Sequence, residues 1–272
     1  MPHATFFLST GRCGTQWLAQ KLSAAYGDRL RVEHEPLHLG YRPRQMLGLK
    51  TPLALDSDSA TEILNHVSGI EGTLETRDYV ECGHPCWSTL PYLAHRLKGR
   101  IRIVHLVRHP IPTACSWLTH QAYTAPLLPH LQEKVLLSPF DLGACFPEYQ
   151  QSWITLTPFE KCLYYWTEIQ AFGLRLEHSS KVPWIRLAFE NLFTEPALGS
   201  LLDFLELPPH ASIFEARREV VDEYRFIAHS GLLHLNAVAH PALQMVAANL
   251  GYDLADIDAA SLEQRYFGLR LA

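Results

Sequence analysis

The opening of the chain constrains its fold more than any other feature. Residues 4–8, Ala-Thr-Phe-Phe-Leu, are a short apolar run stopped by Ser9-Thr10-Gly11. A run bounded by turn residues and too short for a helix reads as a buried strand. Trp17, Leu18, Lys21 and Leu22 then follow helical spacing up to Gly27. The chain is thus predicted to open strand–turn–helix. In the turn, Gly11 and Gly14 let the backbone fold tightly around an anion, so that amide N–H groups and the helix N-terminus point at a phosphate. Arg12 adds a fixed positive fork and Thr15 a hydroxyl donor. An ordinary glycine-rich turn between a strand and a helix has the same look, because short glycine motifs recur by chance. The loop has no Gly-Lys-Ser/Thr, which argues against ATP or GTP hydrolysis.

Strands and helices continue to alternate. Strands are predicted at 30–34, 78–82, 101–107 and 182–187, the third being nearly continuous and β-branched. Helices are predicted at 58–67 with Asp58 as N-cap, at 87–97 with Pro91 marking a break or late start, and at 111–120, 159–178 and 192–205. The last third reads as helical with loops. This pattern implies one α/β domain over residues 1–272, a mainly parallel sheet flanked by helices in three layers. Residues 123–157 are irregular, with Pro126, Pro129, Pro139 and Pro147 among several aromatics. A segment this long without periodicity is usually functional or mobile.

Hydrophobic residues make up 47% and charged residues 19%, enough apolar material for a sizeable core. The formal net charge of −5 points to neither nucleic acid nor an anionic membrane as partner, so any anion site must be built locally. The six cysteines, Cys13, Cys82, Cys86, Cys115, Cys145 and Cys162, show no paired zinc spacing and read as reduced, mostly buried thiols of a cytoplasmic protein. The fifteen histidines likewise offer no metal-ligand set. The N-terminus has no signal-peptide pattern, and no apolar run is long enough to span a bilayer. Nothing in the sequence sets an oligomeric state.

Three motifs carry a resemblance. GRCGTQWL, residues 11–18, resembles the 5′-phosphosulfate loop of sulfotransferases that use 3′-phosphoadenosine-5′-phosphosulfate (PAPS), often written KSGTTW or RSGTTxL. Arg12 falls on the basic position, Thr15 on the first threonine and Trp17 on the tryptophan, while Cys13 and Gln16 depart from the commoner serine and threonine. LVRHPIPTACSW is similar to the family's 3′-phosphate motif VRDPRDVxxS, with Arg108 and Ser116 keeping its spacing of eight and His109 in place of aspartate. Residues 184–208 resemble RYEDLxxDP followed by a helix and FLGLP, with Phe189 on the tyrosine position. The resemblance covers much of residues 4–208. It implies a P-loop-type fold with PAPS as sulfuryl donor and PAP as product, and no required metal. Arg12 would touch the bridging oxygen and the moving sulfuryl group, with Gly11, Cys13, Gly14, Thr15 and Gln16 in the cradle. Arg108 and Ser116 would hold the 3′-phosphate, and Trp17 and Phe189 would lie near adenine. A late basic contact to the 3′-phosphate has Arg217, Arg218 and Arg225 as candidates.

Sulfuryl transfer needs a group that takes the acceptor's proton. Two residues compete. Glu35, in Glu33-His34-Glu35-Pro36, follows the second strand 23 residues after Arg12, near the offset of the glutamate base in several bacterial members. Glu33 would face the other way, since neighbours on a strand alternate. His84, in Cys82-Gly83-His84-Pro85, stands about as far before Arg108 as the histidine of the KTHLP motif stands before its arginine. Glu35 is favoured over His84. The acceptor is expected to be a small molecule bearing a hydroxyl or amine. Tyr123, Phe140, Phe146, Tyr149 and Trp153 would line its pocket as part of a lid or insertion at 123–157. The competing readings are a nucleotide or small-molecule kinase on the same scaffold and a non-catalytic adenine-nucleotide-binding module.

Overall fold

The computed structural model describes residues 1–124, 129–214, 240–255 and 257–266. Arg217, Arg218 and Arg225 lie outside the described residues. Five strands, β1 (Ala4–Leu8), β2 (Leu30–Glu33), β3 (Asp78–Glu81), β4 (Ile101–Val107) and β5 (Trp184–Ala188), form one sheet in the order β2-β3-β1-β4-β5. Every neighbouring pair is parallel, with Phe6 opposite Glu81 on one side and Ile103 on the other. The helices among the described residues are α1 (Thr15–Tyr26), α2 (Pro43–Met46), α3 (Ser57–Thr73), α4 (Leu90–Arg96), α5 (Pro110–Leu118), α6 (Pro129–Lys134), α7 (Pro158–Ser179), α8 (Glu195–Phe204), α9 (Pro241–Asn249) and α10 (Ala259–Tyr266).

Residue alternation builds the three layers. Phe6 and Leu8 of β1 and Ile101 and Ile103 of β4 join one core with residues of α3, α4, α5, α7 and α9. Phe7, Val104 and Leu106 face the opposite way, into a second core with α1 and α8. Both faces of the parallel sheet are thereby covered, which is why the central strands β1 and β4 read as nearly continuous apolar runs. Among the described residues no helix is long and apolar enough to cross a membrane, and all six cysteines are free thiols.

Element boundaries differ from the sequence expectations for local reasons. Helix α3 is capped by Asp56, whose carboxylate accepts the Ser59 N–H at 2.9 Å, so Asp58 lies in the first turn and is not the cap. Its apolar stripe, Ile63, Val67 and Ile70, carries it beyond Val67 to Thr73. The expected helix at 87–97 is a 3₁₀ turn, Trp87–Thr89, followed by α4, with Pro91 in the first turn, where a missing N–H costs little. Strand β5 starts after Pro183, and α8 starts at Glu195-Pro196, later than the apolar pattern implied. The segment expected to be irregular contains α6 and a 3₁₀ turn at Pro147–Gln151.

Strand β1 lies in the middle, and the chain extends the sheet from it in both directions. In such sheets the crevice beyond the carboxyl ends of the strands is where ligands bind. Gly11 to Gly14 follow β1, Glu35 follows β2, His84 follows β3, Arg108 follows β4 and Phe189 follows β5.

Candidate active site

The loop after β1 is an anion cradle by backbone geometry. Gly11, Arg12 and Gly14 all have left-handed φ, at 74°, 60° and 77°. Gly11 is doubly constrained, because a Cβ there would come within 3.0 Å of the Trp117 ring and 3.1 Å of His84. A Cβ on Gly14 would meet Phe189 at 3.2 Å. Helix α1 begins at Thr15 with Gly14 as N-cap, and no side chain caps it and no acidic residue stands in its first turn. Its first N–H groups and the positive end of its dipole therefore face the crevice. Cys13 turns inward, fully buried, and donates its Sγ–H to the Gly11 carbonyl. Burial pushes its thiol up to about 11, so it stays protonated. Gln16 is exposed. Trp17 packs into the α1–α8 core, edge-on to Phe193 at 4.9 Å, so its ring is chiefly a core side chain.

Arg12, Arg108 and Ser116, from the first two motifs, meet at this loop. Arg12 Nε donates to Ser116 Oγ at 3.0 Å. Arg108, buried at the end of β4, donates to the Arg12 carbonyl and, at 2.7 Å, to the Tyr266 hydroxyl, and its guanidinium lies 4.3 Å over the Phe189 ring. The Arg108 carbonyl is held by the Trp166 indole N–H at 2.8 Å. His109 caps α5, its Nδ1 accepting the Ile111 N–H, and its own N–H is taken by Glu190, which also accepts from Tyr252. Glu190 lies in the third motif but was given no role there, and Tyr266 and Tyr252 carried no motif; their contacts around Arg108 and His109 are long-range, so the sequence held no signal of this grouping.

Glu35 and His84, expected as rivals, form one pair. Glu35 Oε1 lies 2.9 Å from His84 Nδ1, and the His84 backbone N–H also points at it, at 3.4 Å. Glu35 adopts a left-handed φ of 47° and presses against Gly83, where a Cβ would lie 2.6 Å from its Cγ. Burial pushes the Glu35 carboxyl up, but the charge His84 carries when protonated and its hydrogen bond, helped by His34, outweigh it and hold the group down at about 2. A carboxylate on Nδ1 fixes that nitrogen as the N–H and leaves the lone pair on Nε2. His84 Nε2 is buried and has no hydrogen-bond partner among the described residues. The ring stands edge-on to Trp117 at 5.6 Å, against the bare Cα of Gly11. His34, read only as part of the triplet, reaches the cradle, its Nε2 3.3 Å from Thr15 Oγ1. Glu33 turns away, to Arg31 and to the Tyr79 hydroxyl at 2.7 Å.

The aromatics expected to line an acceptor pocket pack mainly on one another and on α7. Tyr123 meets Trp153 edge-on at 5.7 Å and Tyr149 meets Tyr164 at 4.9 Å, whereas Phe140 is exposed. No group of three metal-ligating side chains occurs among the described residues.

No family model matches the sequence, and no curated protein does. Solved structures do match. The chain is similar to the sulfotransferase domain of the curacin biosynthetic pathway, with a TM-score of 0.51 and 16% identity over 93% of this chain and 99% of that one. It is similar to the sulfotransferase domain of the Synechococcus PCC 7002 olefin synthase, with a TM-score of 0.51 and 16% identity over 93% and 95%. It is also similar to a sulfotransferase from Alicyclobacillus acidocaldarius, with a TM-score of 0.50 and 18% identity over 94% and 98%. At these identities the likeness is one of fold, and the α/β fold implied by the motifs is the fold found.

Proposed function

We propose that this chain is a sulfotransferase that moves a sulfuryl group from PAPS to a small-molecule acceptor. One observation carries the reading. The Arg12–Arg108–Ser116 cluster and the Glu35–His84 pair, drawn from the ends of four strands, both converge on Gly11 at an uncapped helix N-terminus. The residues fit the donor: the glycine cradle leaves room for a phosphate, and a second guanidinium 4.3 Å over an aromatic ring suits a nucleotide with a second anionic group.

When bound, PAPS supplies a sulfuryl group whose S–O bond to the 5′-phosphate breaks as the acceptor oxygen or nitrogen bonds to sulfur. Arg12 and the first N–H groups of α1 stabilise the electron pair left on that phosphate, which makes a cation there unnecessary. Arg108 and Ser116 hold the 3′-phosphate, and Phe189 flanks adenine. His84 Nε2 takes the acceptor's proton, and Glu35 holds the ring in the required tautomer and stabilises the imidazolium formed. This reverses the order expected from the sequence: Glu35 spends an oxygen on His84 Nδ1, whereas His84 Nε2 has no hydrogen-bond partner among the described residues.

Ligand selectivity tests the reading. A ligand that binds only the folded protein raises its stability in proportion to RT ln(1 + [L]/Kd). PAP is expected to raise Tm well above the shift given by AMP or by ATP with magnesium, and Ser116→Ala to narrow that advantage. ATP with magnesium matching PAP would favour the kinase reading and overturn this one.

A further inference from the structure

His34 lies between the cradle and the Glu35–His84 pair, and the mechanism above gives it no part. Its Nε2 is 3.3 Å from Thr15 Oγ1 and 3.9 Å from Glu35 Oε1, and the same Glu35 oxygen is 2.9 Å from His84 Nδ1. Thr15 is buried and opens α1, whose N-terminus no side chain caps and no acidic residue offsets. The His34 side chain is 31% exposed, so a proton reaches it from solvent. A titratable ring thus stands within hydrogen-bond reach of the first residue of the helix whose N–H groups are read to hold the donor's 5′-phosphate.

The Thr15 hydroxyl has one hydrogen. If His34 Nε2 accepts it, Thr15 has only lone pairs to turn to an anion. If Nε2 carries a hydrogen, Thr15 accepts from His34 and its own hydrogen is directed elsewhere. An anion at the head of α1 therefore selects the forms of His34 that bear Nε2–H, and its charge favours the imidazolium among them.

The surroundings leave room for that change. Burial holds the imidazole below its ordinary value; Glu35 and Glu81 pull it up, while His84 and His38 push it down. The positive end of α1 also opposes a charge on the ring, and Arg12 of the loop is turned to Ser116. A phosphate at the head of α1 offsets the helix end and adds an attraction that acts without direct contact. By reciprocity, an anion that raises the proton affinity of His34 binds the protonated ring more tightly by the same factor.

We propose that His34 is a donor-positioning residue, which orients the Thr15 hydroxyl and takes up one proton as the donor binds. The inference rests on the sulfotransferase reading. Donor affinity then rises as pH falls, because the proton is held more tightly in the complex than in the free protein.

The test is calorimetric titration of PAP into the full chain, as wild type, His34→Gln and His34→Leu, from about pH 9 to about pH 6. Glutamine keeps an N–H for Thr15 but does not titrate, and leucine does neither. At about pH 9 the wild type and His34→Gln are expected to bind PAP alike, and His34→Leu about 5-fold more weakly. Towards about pH 6 the wild type is expected to gain about 10-fold over His34→Gln. At about pH 7 it should also take up more protons per PAP, read from buffers of different ionisation enthalpy. The phosphates of PAP and the other histidines titrate with all three proteins, so the differences isolate His34. Equal pH slopes in the wild type and His34→Gln would overturn the proposal, as would His34→Gln as weak as His34→Leu, or His34→Leu as tight as the wild type, at about pH 9. PAP binding to none of the three would overturn the sulfotransferase reading as well, so the two failures are told apart.

Discussion

At the scale of single residues, the Glu35–His84 pair couples chemistry to stability. The Glu35 carboxyl sits near 4.5 when unperturbed and at about 2 here. A depressed carboxyl contributes stability that is full above its unfolded value and is lost as pH falls through its folded value. The contribution is at most about 3 kcal/mol. Glu35→Gln should therefore be less stable than the wild type above about pH 4.5, with the difference closing towards about pH 2. His105 erodes both proteins alike: burial holds it neutral down to about 3, so stability falls as the unfolded imidazole protonates below 6.5. Urea unfolding of both proteins across this range isolates Glu35, and a difference independent of pH would show that its charge contributes nothing. The sequence exposed both members of the pair through their place after strands, but not their bond. That bond depends on a left-handed turn at Glu35 and on Gly83 leaving room for its side chain, neither of which has a local signature.

At the scale of elements, β1, β4 and the first loop were legible because burial on both faces writes itself as nearly continuous apolar runs, as in 4–8 and 101–107. The described part of the 123–157 segment, 123–124 and 129–157, was not legible, because its order comes from distant partners. Glu168 of α7, buried, accepts the Cys145 N–H at 2.8 and 3.0 Å and the Phe146 N–H at 3.0 Å. Arg44 reaches Asp141 and the Gln132 carbonyl, both at 2.8 Å, and Tyr123 donates to the Leu137 carbonyl at 2.6 Å. Val135, Leu136 and Leu137 enter the core. These contacts support a fixed layer over α7 more than a mobile lid. The Cys145 and Phe146 amides should be protected from hydrogen exchange without any ligand. Glu168→Ala should release both and cost about 2–4 kcal/mol, because it strands buried N–H groups. Fast exchange of these amides in the wild type would restore the lid.

At the scale of the whole molecule, a chain with a net charge of −5 concentrates Arg12, Arg108 and a helix N-terminus at one point of its surface crevice. The parallel sheet makes this possible by bringing five strand ends to one edge, and α10 closes it through Tyr266 on Arg108. An anionic donor is thus expected to be bound by local geometry, with no help from overall charge. The most direct test is transfer of label from radiolabelled PAPS, with EDTA present, to a panel of phenols, alcohols, amines and glycans. The wild type should label a small hydroxyl or amine acceptor, and His84→Ala should do so about 100-fold or more slowly with its PAP affinity intact. No label on any acceptor, or an undiminished rate in His84→Ala, would contradict the account.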